Sequence, residues 1–224
     1  MKKKVRTILD ASRTAGWVLE PLAKELLGAY GLSTTRFRWA KTIDEAVKGA
    51  NELGYPVVAK IVSPDIVHKS DVGGVVVGVD GDEALRKVFG RISKLQGFEG
   101  ILLDETVRGL EFIVGAKEDP QFGTVVLMGL GGTSVEIYGD VALRMAPVSP
   151  ETAREALRSL QGRKLLEGYR GKKGVNLDGL VDLVVRFSKA AYALHDEIDS
   201  IDLNPVFCDA ERAVVADARI LLKK

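Results

Sequence analysis

The stretch GYPVVAKIVSPDIVHKSDVGGVVVGV, residues 54–79, carries the strongest fold signal in the chain. Its two apolar runs, 55–62 and 73–79, are rich in β-branched residues and are typical of buried strands. The polar segment between these runs contains His68, one of only two histidines in the protein. The sequence therefore predicts two strands that are joined by a loop carrying an ionisable ring.

Outside this stretch, helical and strand patterns alternate along the chain, which predicts an α/β fold. The first helical pattern runs over 5–31, with Pro21 near a helix start and Gly31 as a stop. Thr42 and Glu45 have the spacing of a capping box. Further helices are predicted over 43–53, 82–96, 151–166 (with a break near Gly162) and 177–194, and further strands over 34–39, 101–106, 110–117, 124–128, 135–138, 141–146, 198–203 and 213–217.

The length of 224 residues allows two small lobes, and we expect a hinge near residues 104–109. This hinge divides the chain into an N-terminal region with the small lobe, 1–107, and a large lobe, 108–224. The large lobe closes with a predicted hairpin whose turn lies at residues 209–212.

Composition limits the partners and the compartment that we expect. The chain has 32 basic and 31 acidic residues, so it lacks the basic excess of a nucleic-acid-binding protein. No apolar run approaches the roughly 20 residues of a membrane helix, and polar residues follow the basic start, so neither a membrane span nor a secretory signal is predicted. The single cysteine, Cys208, fits a reducing cytoplasm. Three Asn and three Gln, beside abundant charged residues, suggest a thermophilic source.

Lys60 and two paired glycines are candidates for binding phosphate. Lys60 lies within an apolar strand, so its ammonium must reach water or pair with an anion. A lysine on an edge strand that extends into solvent is the alternative interpretation. Glycines let backbone amides approach phosphate oxygens closely, although Gly73 and Gly74 could equally form a tight turn. The glycine-rich step at 129–132 has the same two interpretations and does not match a P-loop or a dinucleotide fingerprint.

Three oxygen-bearing side chains are predicted to converge on the closing hairpin. Asp202 and Asn204 are two residues apart on a strand and therefore share a face. The hairpin turn brings Asp217 opposite residues 203 and 204, and carboxylate and amide oxygens suit a hard cation such as magnesium. A one-residue shift of register would turn Asp217 to the other face. A polar hairpin face without a metal is the alternative interpretation.

His68 is a candidate phosphoryl acceptor, because a neutral imidazole nitrogen is nucleophilic near neutral pH. Asp71 could hold one ring nitrogen protonated while the other attacks, and the amides of Gly73 and Gly74 could receive the phosphoryl oxygens. A capping or surface histidine is the alternative. His195 ends a long predicted helix, where a partly positive ring is favoured, so we predict a structural role for it.

Four segments together are similar to those of a known family. They are residues 54–79, quoted above, GLEFIVGAKEDPQFGTVVLMGLGGTSVEIYGDVALRMAP (109–147), GYRG (168–171) and IDLNPVFCDAERAVVADARI (201–220). In this order and spacing they resemble the ATP-grasp domain of NDP-forming acyl-CoA synthetases, in particular the β-subunit type of ADP-forming acetyl-CoA synthetase, which is related to succinyl-CoA synthetase β. The resemblance covers nearly the whole chain. It implies an α/β ATP-grasp fold with two lobes that clamp ATP or ADP.

The resemblance also implies roles for individual residues. It matches His68 to a histidine that relays a phosphoryl group, and Lys60 to the lysine that contacts nucleotide phosphates. Glu111 matches the acidic residue lining the nucleotide cleft, and Asp104, Glu105, Thr106 and Val107 match the hinge that binds adenine through backbone groups. Asn204 and Asp217 match magnesium ligands, with Asp202 beside them. Glu136 and Arg144 fall in the glycine-rich phosphate region.

The activity that the resemblance implies is reversible: acyl-CoA, ADP and phosphate give a carboxylic acid, ATP and CoA. The phosphoryl group passes from acyl phosphate to a histidine of an α subunit, then to His68, then to ADP, with Mg²⁺ at the nucleotide. Some family members are single long chains with CoA-binding domains. Because these 224 residues resemble no such domain, we expect a separate α subunit in a cytoplasmic α2β2 heterotetramer. An ATP-grasp carboxylate–amine ligase and a non-catalytic nucleotide-sensing module are the alternatives.

Overall fold

The computed structural model describes residues 2–132, 139–169, 171 and 173–223, so the predicted strand 135–138 and Glu136 lie outside the described residues. In chain order the helices are α1 (Lys2–Ser12), α2 (Glu20–Ala29), α3 (Ile43–Leu53), α4 (Asp82–Ile92), α5 (Pro150–Ser159), α6 (Lys164–Glu167) and α7 (Leu177–Ala193). The strands are β1 (Trp17–Val18), β2 (Phe37–Ala40), β3 (Val57–Val62), β4 (Val75–Val79), β5 (Gly100–Glu105), β6 (Leu110–Asp119), β7 (Gly123–Leu130), β8 (Val141–Met145), β9 (Ile198–Cys208), β10 (Ala213–Val215) and β11 (Ala218–Leu222). None of these helices is long and apolar enough to cross a membrane.

These elements form two compact units. The first unit comprises Met1–Val18, Leu22–Thr34 and Arg108–Lys224, and the second comprises Leu19–Pro21 and Thr35–Val107. The division after residue 107 falls within the range 104–109 where the hinge is expected, and the hinge itself stays a prediction. The structure differs from the expectation that all of 1–107 belongs to one lobe, because most of the first 34 residues group with the C-terminal part of the chain.

Strand β1 gives the physical reason for this grouping. The sequence predicts helical structure over 5–31 with a helix start near Pro21, but Gly16 adopts a φ of +75° after α1 and redirects the chain. Trp17 and Val18 then pair antiparallel with two residues of β11, and both side chains are buried. Both residue types favour strands. A pairing partner at the other end of the chain therefore overrides the helical pattern.

The first unit is built on a seven-stranded antiparallel sheet in the order β1-β11-β9-β6-β7-β8, with β10 also paired to β9. Its core contains Phe112 from β6, Phe187 and Val184 from α7, and Leu157 from α5. The predicted closing hairpin is confirmed, because β10 folds back on β9 with Ala213 opposite Cys208. This core supports strand β9, which carries Asp202 and Asn204, and the connection between β10 and β11, which carries Asp217.

The second unit is built on a four-stranded antiparallel sheet in the order β2-β5-β3-β4. Strands β3 and β4 are the two that the stretch 54–79 predicts, and they pair with Lys60 opposite Val75. Helices α3 and α4 contribute Ala46, Ala50 and Leu85 to the core of this unit. The loop that carries His68 therefore joins two neighbouring strands of one sheet.

Helix α3 begins with the predicted capping box, which is confirmed. Thr42 Oγ1 accepts a hydrogen bond from the amide of Glu45, and Glu45 Oε2 accepts one from the amide of Thr42, both at 3.3 Å. The same carboxylate oxygen accepts from the amide of Lys41 at 2.7 Å. These bonds satisfy backbone donors that a helix start leaves without intrahelical partners.

We expect Thr42→Ala to lower the free energy of unfolding by about 1 kcal/mol, because it removes the side-chain half of this cap. Urea denaturation followed by circular dichroism measures the change. Thr14→Ala is the matched control, since Thr14 is exposed in the turn after α1. Equal unfolding free energies for the two variants would contradict a stabilising role for the box.

Candidate functional site

Lys60 lies in a buried cluster of opposite charges in the second unit. Its Nζ is 2.6 Å from Glu20 Oε1 and 3.0 Å from Asp104 Oδ2. The side chains of Lys60, Glu20 and Asp104 are 8%, 3% and 3% exposed. A buried charge is tolerated when it is paired and hydrogen-bonded, so the two carboxylates account for this ammonium. The alternative of a solvent-directed lysine on an edge strand is wrong, since β3 has a neighbouring strand on each side.

The cluster extends beyond Lys60 in both directions. The second carboxylate oxygen of Glu20 pairs with Nζ of Lys69, the residue that follows His68. On the other side, Thr35 Oγ1 donates a hydrogen bond to Asp104 Oδ1 at 2.7 Å. Positive and negative groups therefore alternate from the His68 loop into the interior of the sheet.

Glu20 is a member of this cluster that the sequence does not reveal. It opens helix α2 just before Pro21, a position where an acidic residue commonly stabilises a helix start. Its local context therefore gives no reason to connect it with strand β3. The one signal for a partner is Lys60 itself, whose ammonium in an apolar strand requires an anion. Which carboxylate supplies that anion depends on tertiary packing.

The loop between β3 and β4 presents His68 on the surface of the second unit. His68 and Asp71 are both exposed. In the described part of the chain, no hydrogen bond or ion pair joins these two side chains. Orientation of the ring by Asp71 therefore stays a prediction, and so does transfer of a phosphoryl group to His68.

The amides of Gly73 and Gly74 are engaged within the turn of this loop. The Gly73 amide donates to Ser70 O at 3.1 Å, and the Gly74 amide donates to Lys69 O at 2.7 Å. Gly73 has a φ of +66°, and a Cβ at Gly74 would lie 2.6 Å from Ile61 Cγ2. Of the two interpretations of this glycine pair, the structure shows the tight turn. Loop carbonyls accept both N–H groups, and binding of phosphoryl oxygens by these amides stays a prediction.

The predicted adenine hinge, residues 104–107, extends from the end of β5. The amide of Glu105 donates to the carbonyl of Arg36 at 3.0 Å. Thr106 Oγ1 donates to the carbonyl of Pro56 at 2.7 Å. These bonds hold the segment to the parts of the same chain that carry Arg36 and Pro56. Recognition of a base by the backbone groups of residues 104–107 stays a prediction.

In the first unit, the exposed Glu111 lies against the glycine-rich step. The amide of Gly131 donates to the Glu111 carbonyl at 2.7 Å. A Cβ at Gly131 would lie 2.9 Å from Glu111 C, and one at Gly132 would lie 3.1 Å from Glu111 Oε2. The absence of side chains therefore lets this step pass close to the carboxylate. Arg144 lies on β8, where its Nη1 donates to Leu143 O at 2.8 Å, and its phosphate-binding role stays a prediction.

The three predicted metal ligands lie on neighbouring segments of the first unit. The amide of Asn204 donates to Asp217 O at 3.3 Å, and Asp202 lies opposite Arg219 across the β9–β11 pair. Burial raises the pKa of Asp202; the positive charge of Arg219 opposes that rise, and the negative charge of Asp217 adds to it.

This set of donors fits a hard cation. Asp202, Asn204 and Asp217 offer only oxygen ligands, which magnesium prefers. Among the described residues, no group of three or more His, Cys, Asp or Glu side chains forms a metal site. The third predicted ligand here is an amide, and magnesium commonly keeps water in its remaining positions. Magnesium binding stays a prediction.

Comparison with known proteins identifies the fold. The family profile of an ATP-grasp domain matches residues 10–222, so the chain is an ATP-grasp protein. It is 41% identical over 228 residues to the ADP-forming acetate–CoA ligase I subunit beta of Pyrococcus furiosus, and the match covers 98% of each chain. The chain therefore belongs to the family of ADP-forming acetate–CoA ligase β subunits.

Two further relatives support this assignment. The chain is 42% identical over 206 residues to the ADP-forming acetate–CoA ligase II of Archaeoglobus fulgidus, covering 92% of this chain and 30% of the relative. A structure of the dinucleotide forming acetyl-coenzyme A synthetase 1 of Candidatus Korarchaeum cryptofilum, in complex with coenzyme A and Mg-AMPPCP, matches with a TM-score of 0.87 and 37% identity, over 98% of this chain and 100% of the matched chain. The predicted ATP-grasp fold and the family resemblance are confirmed.

The two glycines of the His68 loop should respond differently to substitution. We expect Gly73→Asn to be tolerated, because asparagine can adopt a positive φ and no atom lies within 4 Å of a Cβ at this position. Gly74→Ala should lower the free energy of unfolding by about 1–3 kcal/mol, the usual cost of overpacking. Chemical denaturation of both variants measures the difference. Equal losses would contradict the steric role of Gly74.

Proposed function

We propose that this chain is the nucleotide-binding subunit of an ADP-forming acyl-CoA synthetase, and that His68 carries a phosphoryl group between ADP and a partner subunit. The overall reaction converts acyl-CoA, ADP and phosphate into a carboxylic acid, ATP and CoA. The observation that carries the proposal is the exposed His68 on a loop whose next residue, Lys69, joins the buried charge cluster of Lys60. The loop that carries the nucleophilic ring is thus tied to the buried cluster through the residue next to His68.

The proposed transfer requires a free ring nitrogen and compensation of phosphate charge. In the direction from ATP, a nitrogen of neutral His68 attacks the terminal phosphorus. An N–P bond forms as the bond from phosphorus to the bridging oxygen breaks, and ADP leaves with that electron pair. The reverse reaction returns the phosphoryl group to ADP. Catalysis of such a transfer is mostly positioning and electrostatic stabilisation. The family resemblance assigns Lys60 to the nucleotide phosphates, and Lys69 anchors the loop that carries His68.

The hairpin of the first unit is proposed to hold magnesium through Asp202, Asn204 and Asp217. When bound, the ion neutralises charge on the nucleotide phosphates. Glu111, Arg144 and the hinge 104–107 are assigned to nucleotide binding by the family resemblance. The chemistry of the donor set supports the metal assignment, because all three side chains offer the oxygen ligands that magnesium prefers.

CoA chemistry is proposed to take place on a separate α subunit, in an α2β2 assembly. The relative from Pyrococcus furiosus is named as a β subunit, and the match occupies 30% of the longer ligase from Archaeoglobus fulgidus. The remaining part of that longer chain is where we place the counterpart of the α subunit. The α subunit would then determine which acyl-CoA is used.

Labelling tests the role of His68. Incubated with magnesium and ATP labelled on the γ-phosphate, the chain should acquire label that is acid-labile and base-stable, as a phosphoramidate is. His68→Ala should lose the label but still bind ATP, because Lys60, the hinge and the metal ligands remain. A filter assay after alkaline quenching, with calorimetry for ATP binding, measures both properties.

His195→Ala is the matched control for this experiment. The His195 Nδ1 contacts the carbonyl of Tyr192 at 2.8 Å beyond the end of α7, so its loss should leave labelling unchanged. Label that persists in His68→Ala would refute the relay. A carboxylate–amine ligase would need no phosphohistidine, so binding of ATP without any label would favour that activity.

Asp217→Ala should weaken the magnesium-dependent part of ATP binding by at least about tenfold, since even the loss of an outer partner of a metal ligand costs that much. Calorimetric titration of ATP at several magnesium concentrations measures the effect. Asp199→Ala is the control, because Asp199 is an exposed carboxylate on the same strand, β9. An unchanged magnesium dependence in Asp217→Ala would remove this residue from the metal site.

A further inference from the structure

Glu20 connects the two lysines that lie nearest the proposed chemistry. One of its carboxylate oxygens is 2.6 Å from Lys60 Nζ, and the other pairs with Lys69 Nζ. Lys60 comes from strand β3, whereas Lys69 belongs to the loop and directly follows His68. A single carboxylate therefore ties the His68 loop to the sheet.

Burial makes this connection specific. The side chain of Glu20 is 3% exposed and that of Lys69 is 12% exposed, so water screens their attraction only weakly. The main-chain carbonyl of Lys69 also accepts the amide of Gly74 at 2.7 Å. By contrast, Ser70 and Asp71 are exposed. Lys69 is thus held through both its side chain and its backbone, directly beside His68.

Stabilisation of a helix start does not account for the burial of Glu20. An acidic residue in the first turn of a helix can interact with the helix dipole while it stays in solvent. Glu20 instead gives up its hydration, which is costly for a carboxylate, and each of its oxygens faces a lysine. Charge balance is the competing explanation, because Glu20 and Asp104 neutralise Lys60 and Lys69.

We infer that Glu20 is a positioning residue for phosphoryl transfer, which holds Lys69 and therefore the His68 loop in a fixed position relative to Lys60. The inference rests on the proposed function of His68. In this role, Glu20 does not contact the reacting atoms. Its effect on the reaction passes through Lys69.

A double-mutant cycle tests this inference in the full chain. The variants are Glu20→Gln, Lys69→Met and the double variant, which removes one negative and one positive charge and so keeps the cluster balanced. Glu52→Gln is the matched control, because Glu52 forms an exposed pair with Arg38 in the same unit. Three quantities are measured for each: the melting temperature, the Kd for ATP, and the single-turnover rate of His68 phosphorylation at saturating ATP and magnesium.

Glu20→Gln should slow phosphorylation by about tenfold to a hundredfold, the effect of misplacing reacting groups, while the Kd for ATP changes much less. In the Lys69→Met background, Glu20→Gln should cause no further loss of rate. The double variant should have a higher melting temperature than Glu20→Gln, but its rate of His68 phosphorylation should stay as low as that of Glu20→Gln. Glu52→Gln should match the wild type in all three quantities.

The inference is overturned if the rate of the double variant recovers together with its melting temperature, because Glu20 would then be a counterion only. It is also overturned if the losses of rate in the two single variants multiply in the double variant, since Glu20 would then not act through Lys69. If Glu20→Gln does not fold, comparison of Lys69→Met with the double variant decides the question. Failure of the proposed function looks different: the wild-type chain itself would carry no label on His68.

Discussion

The pairing of a buried lysine with two buried carboxylates is the constraint on which the second unit depends. Lys60 lies in an inner strand of the sheet, where a lone ammonium would be strongly unfavourable. Glu20 and Asp104 make the position tolerable, and they come from the start of α2 and from β5. This explains in physical terms why the short segment Leu19–Pro21 groups with residues 35–107, although the chain on either side of it belongs to the first unit.

Because of the same cluster, one side of the His68 loop is anchored in the interior and the other is exposed to solvent. Toward the interior, Lys69 is anchored by charge and the glycine turn closes on the carbonyl of Lys69. Toward solvent, His68 remains exposed. A phosphoryl carrier needs both properties, because its ring must meet more than one partner and yet return to one place. Under the proposed function, the loop combines a fixed base with an accessible nucleophile.

The two units compensate their buried charges in different ways. In the second unit, Glu20 and Asp104 neutralise the ammonium groups of Lys60 and Lys69. In the first unit, Asp202 lies opposite Arg219 across the β9–β11 pair. Burial raises the pKa of Asp202; the positive charge of Arg219 opposes that rise, and the negative charge of Asp217 adds to it.

The sequence by itself determined the features that depend on a few neighbouring residues. It predicts strands β3 and β4 with the His68 loop between them, the Thr42–Glu45 capping box and the closing hairpin, because strand periodicity and turn chemistry act over short distances. The tertiary structure alone decided the rest. Residues 17–18 became a strand because β11 pairs with them, Glu20 became the partner of Lys60 because packing brings it there, and the amides of Gly73 and Gly74 were committed to carbonyls of their own turn. In each case the deciding contact lies outside the local pattern: a sheet neighbour, a counter-charge or a hydrogen-bond acceptor acquires its place only when the chain has folded.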